Sequence, residues 1–155
     1  MHRPPKLLFS TIMRRSAAAV WFGDLRTGDG SLTTHSGALE QTPYSFNNRF
    51  EESPGTNHEE LLAAAHAGCF TMAVCAALTR AAFKPVKLST QAVVSFEQRD
   101  GAWTITASHL EMRANVPDIP AGRFAEITAE AKSNCPVSRA LNVAITLDAR
   151  LEGSG

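Results

Sequence analysis

The chain predicts an α+β fold. Its elements read in order as strands, one long helix, more strands, a second helix and a last strand. Two patterns carry this. Apolar and polar residues alternate with period two on both sides of the middle, and between them runs a helix-length stretch with no charged residue from Leu61 to Thr79. At 155 residues the chain is long enough to bury one real core.

In the N-terminal part, Ala17 to Phe22 and Ser31 to Ser36 read as short strands around the turn Gly28-Asp29-Gly30. Ala38 to Phe46 is expected to continue that sheet. Further on, Leu88, Ala92, Val94 and Phe96 alternate with polar neighbours, as in a half-buried strand. Asp100-Gly101 is a hairpin turn signal. The next strand places Trp103, Ile105 and Ala107 on one face, then slips phase to Leu110, Met112 and Ala114. That slip predicts a bulge near Ser108. Pro120 opens a helix whose apolar face is Phe124, Ile127 and Ala131. Val143, Ile145, Leu147, Ala149 and Leu151 form the last strand.

The central helix spans Asn57 to Ala82. Asn57 is a good N-cap, and Glu60 falls at the third helical position, the capping-box arrangement. A helix apolar on every side has to be covered on every side. Its length would suit a membrane span. Its composition is only weakly apolar, rich in Ala with Gly68, His66, Thr71 and Thr79, and the rest of the chain alternates like soluble strands. One sheet covers one face, so the other face calls for a second copy of the chain. The expected assembly is an intimate homodimer.

Composition narrows the function. Fifteen acidic and fifteen basic side chains cancel, and no basic stripe is present, which argues against nucleic acid as a partner. Three cysteines are odd in number and too few for a disulfide scaffold. They fit reactive or buried thiols in a reducing compartment, hence a cytoplasmic setting. The segment Met1 to Ala19 carries Arg3, Lys6, Arg14 and Arg15 and no acid. Arg14-Arg15 cuts its short apolar run off, so residues 1–14 read as a flexible extension rather than a secretory signal, and Met13 offers an alternative start. Residues 15–155 then form one domain.

Two cysteines stand in distinctive segments. Cys69 lies inside the long helix among Ala65, Ala67, Gly68 and Ala73; such a cysteine is either an inert core residue or a nucleophile. Cys135 precedes Pro136, which favours the first helical position and makes Cys135 an N-cap, where helix-end N–H groups favour a thiolate. The alternative is a turn cysteine without chemistry. Cys75 projects away from Cys69 on an ideal helix, and the spacing Cys-x5-Cys matches no zinc pattern. His66, three residues before Cys69, is either a satisfied core histidine or half of a Cys–His nucleophile pair.

The chain resembles the OsmC/Ohr family (osmotically inducible protein C and organic hydroperoxide resistance proteins), on its OsmC side. The likeness runs from about Ala17 to Leu151. It rests on five ordered segments: Trp21-Phe22-Gly23-Asp24, Pro43-Tyr44-Ser45-Phe46-Asn47-Asn48-Arg49-Phe50, Gly55 to Phe70, Asn134-Cys135-Pro136-Val137-Ser138, and Ile145-Thr146-Leu147-Asp148. The resemblance implies an OsmC-like fold, with antiparallel sheets packed on a long buried central helix in an intertwined homodimer. It implies that Cys69 is the reactive cysteine, Cys135 the resolving one, Arg49 the active-site arginine and Glu60 the carboxylate that holds it. His58 and Gly68 depart from the family pattern, which has proline and alanine there; both changes loosen the helix locally and neither removes a reacting group.

Residue chemistry agrees with those roles. A guanidinium lowers a thiol pKa and donates to peroxide oxygens as charge develops, and a buried arginine needs a partner such as Glu60. Glu60 and Cys69 are nine residues apart, half a turn out of phase on one helix. A site between subunits, with the Arg49–Glu60 pair facing Cys69 of the other copy, resolves this.

The expected function is a peroxidase that reduces organic hydroperoxides to alcohols in oxidative or osmotic stress defence. Cys69 becomes a sulfenic acid, Cys135 condenses with it, and an external thiol, a lipoyl dithiol for instance, reopens the disulfide. No metal, bound cofactor or membrane is called for. Two alternatives are a Cys69/His66 thiol hydrolase and a non-catalytic redox sensor, which would oxidise once and stop.

Overall fold

The computed structural model describes residues 12–153. The expected extension over residues 1–14 lies mostly outside them. The chain divides between Thr56 and Asn57 into two compact units.

The first unit holds β1 (Ala17–Phe22), β2 (Asp29–Thr34), β3 (Thr42–Tyr44) and a short helix α1 (Phe46–Phe50). The three strands form an antiparallel sheet in chain order. Gly30 is required inside it: a Cβ there would stand 2.5 Å from the Val20 carbonyl oxygen. Trp21 and Tyr44 pack with ring centroids 5.5 Å apart. The sheet stops sooner than the sequence suggests, because Ser45 turns out of the strand and caps α1, accepting the Asn48 N–H at 3.3 Å. Buried Asn48 then donates to Ser53 Oγ at 2.6 Å and to the Pro54 carbonyl, tying the loop 51–56 to α1. Gly55 sits at φ +116°, with the Pro43 carbonyl oxygen 2.3 Å from where a Cβ would be.

The second unit contains α2 (His58–Arg80), β4 (Lys87–Arg99), β5 (Ala102–Asn115), α3 (Ala121–Asn134), α4 (Pro136–Ala140) and β6 (Ala144–Leu151). Asn57 caps α2 as expected, its side chain accepting the Glu60 N–H at 2.8 Å. The sheet order is β4-β5-β6. β4 and β5 make the hairpin that Asp100-Gly101 announced, with both residues at positive φ. The bulge falls at Thr106, left between the pairs Ser95–Ala107 and Phe96–Ile105, two residues before its expected place. β6 pairs with β5 in parallel, because α3 and α4 carry the chain back across the sheet before it enters. Antiparallel pairing therefore holds for every pair but this one.

The core lies between the helices and one face of this sheet. Phe70, Val74 and Leu78 of α2 meet Leu110, Met112 and Ala114 of β5 and Phe124, Ile127 and Ala131 of α3. On α2 the fully buried line His66, Phe70, Val74, Leu78 advances four residues at a time, which is one helix face. The opposite face is open: Met72 is 75% exposed, and an apolar groove of about 590 Å³ runs past Gly68, Thr71, Met72, Cys75, Val86 and Leu88. By length and composition α2 would also suit a membrane, yet one whole face of it builds the core of this unit.

Candidate active site

Cys69 lies on α2, half-buried, beside the line of core residues. Cys135 is fully buried at the junction of α3 and α4. It closes the first helix, its N–H donating to the Ala131 carbonyl at 2.9 Å, and caps the second, its sulfur accepting the Ser138 N–H at 3.3 Å. Pro136 takes the first position of α4, as expected. The packing of α4 against α2 sets the Cys135 thiol and the Val137 amide close enough to Cys69 to act on its titration.

Within one chain this environment holds the Cys69 proton on. Burial pushes its pKa up, the Val137 hydrogen bond opposes that, and the neighbouring Cys135 thiol pushes it further up. Thiolate chemistry at Cys69 therefore calls for a positive group beyond those contacts.

Arg49 and Glu60 belong to different compact units. Arg49 is half-buried on α1, with its guanidinium 5.8 Å from the centre of the Phe50 ring. Glu60 is exposed in the first turn of α2. Cys75 is exposed on the open face of α2, along the groove and apart from the paired thiols.

His66 is fully buried and committed elsewhere than to Cys69. Its Nδ1 lies 2.7 Å from Ser108 Oγ on β5, and its Nε2 lies 2.8 Å from Ser138 Oγ on α4. Both ring nitrogens are thereby occupied, which removes the basis for a Cys69/His66 hydrolase. Ser138 Oγ lies in turn 3.2 Å from Cys135 Sγ. Sequence reasoning missed both serines, which stand 42 and 72 residues from His66. The only local trace of them was Ser138 at the third position after a capping cysteine. Among the described residues no three His, Cys, Asp or Glu side chains gather as a metal site would need.

The comparisons with known proteins give the family and the fold. The OsmC-like protein family matches residues 50–150. The proteins named peroxiredoxin OsmC from Escherichia coli (strain K12) and from Shigella flexneri are each 44% identical over 140 residues, covering 90% of this chain and 98% of theirs. The crystal structure of an organic hydroperoxide resistance protein from Elizabethkingia anophelis superposes with a TM-score of 0.70 at 21% identity, over 94% of this chain and all of that one, and so shares the fold. The chain belongs to the OsmC-like protein family, as a peroxidase of the peroxiredoxin type.

Proposed function

We propose that the chain reduces organic hydroperoxides to alcohols with Cys69 as nucleophile and Cys135 as resolving thiol, working as a homodimer with an external thiol as reductant. The observation that carries this reading is the proximity of the two thiols, 66 residues apart in sequence, where α4 packs on α2. Cys69 thiolate attacks the terminal peroxide oxygen. The O–O bond breaks, the alkoxide takes a proton and leaves as alcohol, and Cys69 is left as sulfenic acid. Cys135 sulfur attacks that sulfur, the S–S bond forms, and water departs. A dithiol then exchanges with the disulfide and returns both cysteines to the thiol state. The apolar neighbours of Cys69, Ala65 and Ala73 among them, favour alkyl or lipid peroxides over hydrogen peroxide.

The cation for Cys69 is assigned to Arg49 of a second copy, held by Glu60. Each copy would cover the open face of the other's α2, where Met72 and the groove otherwise meet water. Thiol chemistry of this kind places the enzyme in the reducing cytoplasm, in defence against oxidative stress.

The test is peroxide consumption with excess dithiol, lipoyl compounds included. Sustained turnover is expected. A single equivalent consumed with every dithiol would mark a sensor instead.

A further inference from the structure

We propose that Ser138, His66 and Ser108 form a buried proton relay that serves Cys135 during disulfide closure. This rests on the reading of Cys135 as resolving thiol and deepens it. The chain of contacts is continuous: Cys135 Sγ to Ser138 Oγ at 3.2 Å, Ser138 Oγ to His66 Nε2 at 2.8 Å, and His66 Nδ1 to Ser108 Oγ at 2.7 Å. Cys135, Ser138, His66 and Ser108 are all buried.

A histidine kept only for packing would be fixed by acceptors such as carbonyls, which set one tautomer. Here both partners are hydroxyls, which donate or accept by rotating about one bond. Every link can therefore reverse. With Cys135 as thiol, S–H points to Ser138, Ser138 O–H to Nε2, and Nδ1–H to Ser108. With Cys135 as thiolate, Nε2–H points to Ser138 and Ser138 O–H to sulfur, joined by the Ser138 N–H. The same four groups satisfy both states.

The step balances as follows. Cys135 attacks the sulfur of Cys69 sulfenic acid; the S–S bond forms and the S–O bond breaks. The Cys135 proton passes to Ser138 as Ser138 passes its own to His66 Nε2. Burial disfavours a lasting charge on His66 and holds its pKa down. The imidazolium returns the proton through Ser138 to the hydroxide departing from the Cys69 sulfur, which leaves as water.

The titratable groups around the relay are few. Cys69 and Cys135 face it from α2 and α4, and Glu59 lies on the same face of α2, two turns or about 10 Å from His66. The buried positions of β5 and α3, such as Leu110, Met112, Phe124 and Ile127, carry no charge.

The experiment is a single turnover of the full chain with one equivalent of tert-butyl hydroperoxide, between pH 6 and 9. Peroxide loss and the Cys69–Cys135 link are timed separately, the latter by mass spectrometry of quenched samples. Ser138→Ala is expected to slow closure relative to peroxide loss by roughly tenfold or more. It should also turn a shallow pH dependence into one that climbs with the fraction of free thiolate, and Ser138→Thr should restore both. Ser108→Ala leaves α4 intact and carries the same expectation more weakly, about threefold, should Ser138→Ala fail to fold. Closure at wild-type rate and pH profile in the folded variants overturns the relay while leaving the two-cysteine mechanism standing. No Cys69–Cys135 link in the wild type overturns that mechanism, and the relay with it.

Discussion

At Cys69 the chemistry asks for a thiolate and the surroundings within one chain resist it, through burial and through the thiol beside it. Val137 N–H supplies one favourable contact, and a guanidinium would supply the charge. Arg49→Ala should therefore slow peroxide reduction by roughly 100-fold, the scale of losing one charge-stabilising donor at a reacting centre. Arg49→Lys should recover only part, since an ammonium cannot reproduce the fork of donors. Stopped-flow peroxide kinetics decide it, and unchanged rates in both variants would take Arg49 out of the site. The two cysteines should fail differently. Cys69→Ser should abolish reduction, because a hydroxyl with no accessible ionisation cannot replace the thiolate. Cys135→Ser should still consume about one equivalent and leave sulfenic or sulfinic acid at Cys69, visible by mass spectrometry. His66 adds a pH effect on stability. Burial lowers its folded pKa below the ordinary 6.5, so the unfolded chain binds the proton more readily. The stability from keeping it neutral is complete above about pH 6.5 and is lost as pH falls toward the folded value, by at most about 1.4 kcal/mol per unit. Denaturant midpoints at pH 7.5 and 5.5 should differ, and less so in His66→Gln.

Among the elements, α2 was the most legible. Asn57 and Glu60 mark its start, and the charge-free run sets its length. Its Gly68 is a local weak point: a Cβ there meets nothing within 4 Å in the chain. Gly68→Ala should stabilise the fold by about 0.5–1 kcal/mol, raising Tm by roughly 1–4 °C, as a scanning thermal melt would record. Strands with one buried face were equally plain, because alternation is the direct imprint of a sheet with core on one side; β4 and β6 fall where Leu88–Phe96 and Val143–Leu151 placed them. The region after β3 was not legible as a helix. Five residues are too few to show a 3.6-residue period, and only Ser45 as a cap with Asn48 three positions on hinted at it. Nor could alternation tell that β6 runs parallel to β5, since strand direction is set by the connection and not by the strand. At the site, the cysteines declared themselves through their segments. The His66 network did not, because three elements contribute to it and only the fold makes them neighbours.

For the whole molecule the open question is what covers α2. Its core line is full, and its other face keeps Met72, Ala76 and Cys75 in water, with Val86 exposed across the groove. A charge-free helix face left open is a poor end state for a folded chain. The half-turn between Glu60 and Cys69 points the same way, since one straight helix cannot aim both at one peroxide. Under the proposed reading a second copy would answer both demands, covering the face and bringing an Arg49–Glu60 pair to the thiol. Sedimentation should therefore give a dimer down to sub-micromolar concentration. Met72→Glu puts a charge in the middle of that face, where burying it unpaired is costly. It should weaken the dimer by about 100-fold or more, and peroxide turnover should fall in step with the dimer fraction as the protein is diluted. Activity that follows the dimer fraction means that the site is shared between copies. A stable, folded and fully active monomer would mean that each chain completes its own site, and the cation at Cys69 would then have to be sought within one protomer.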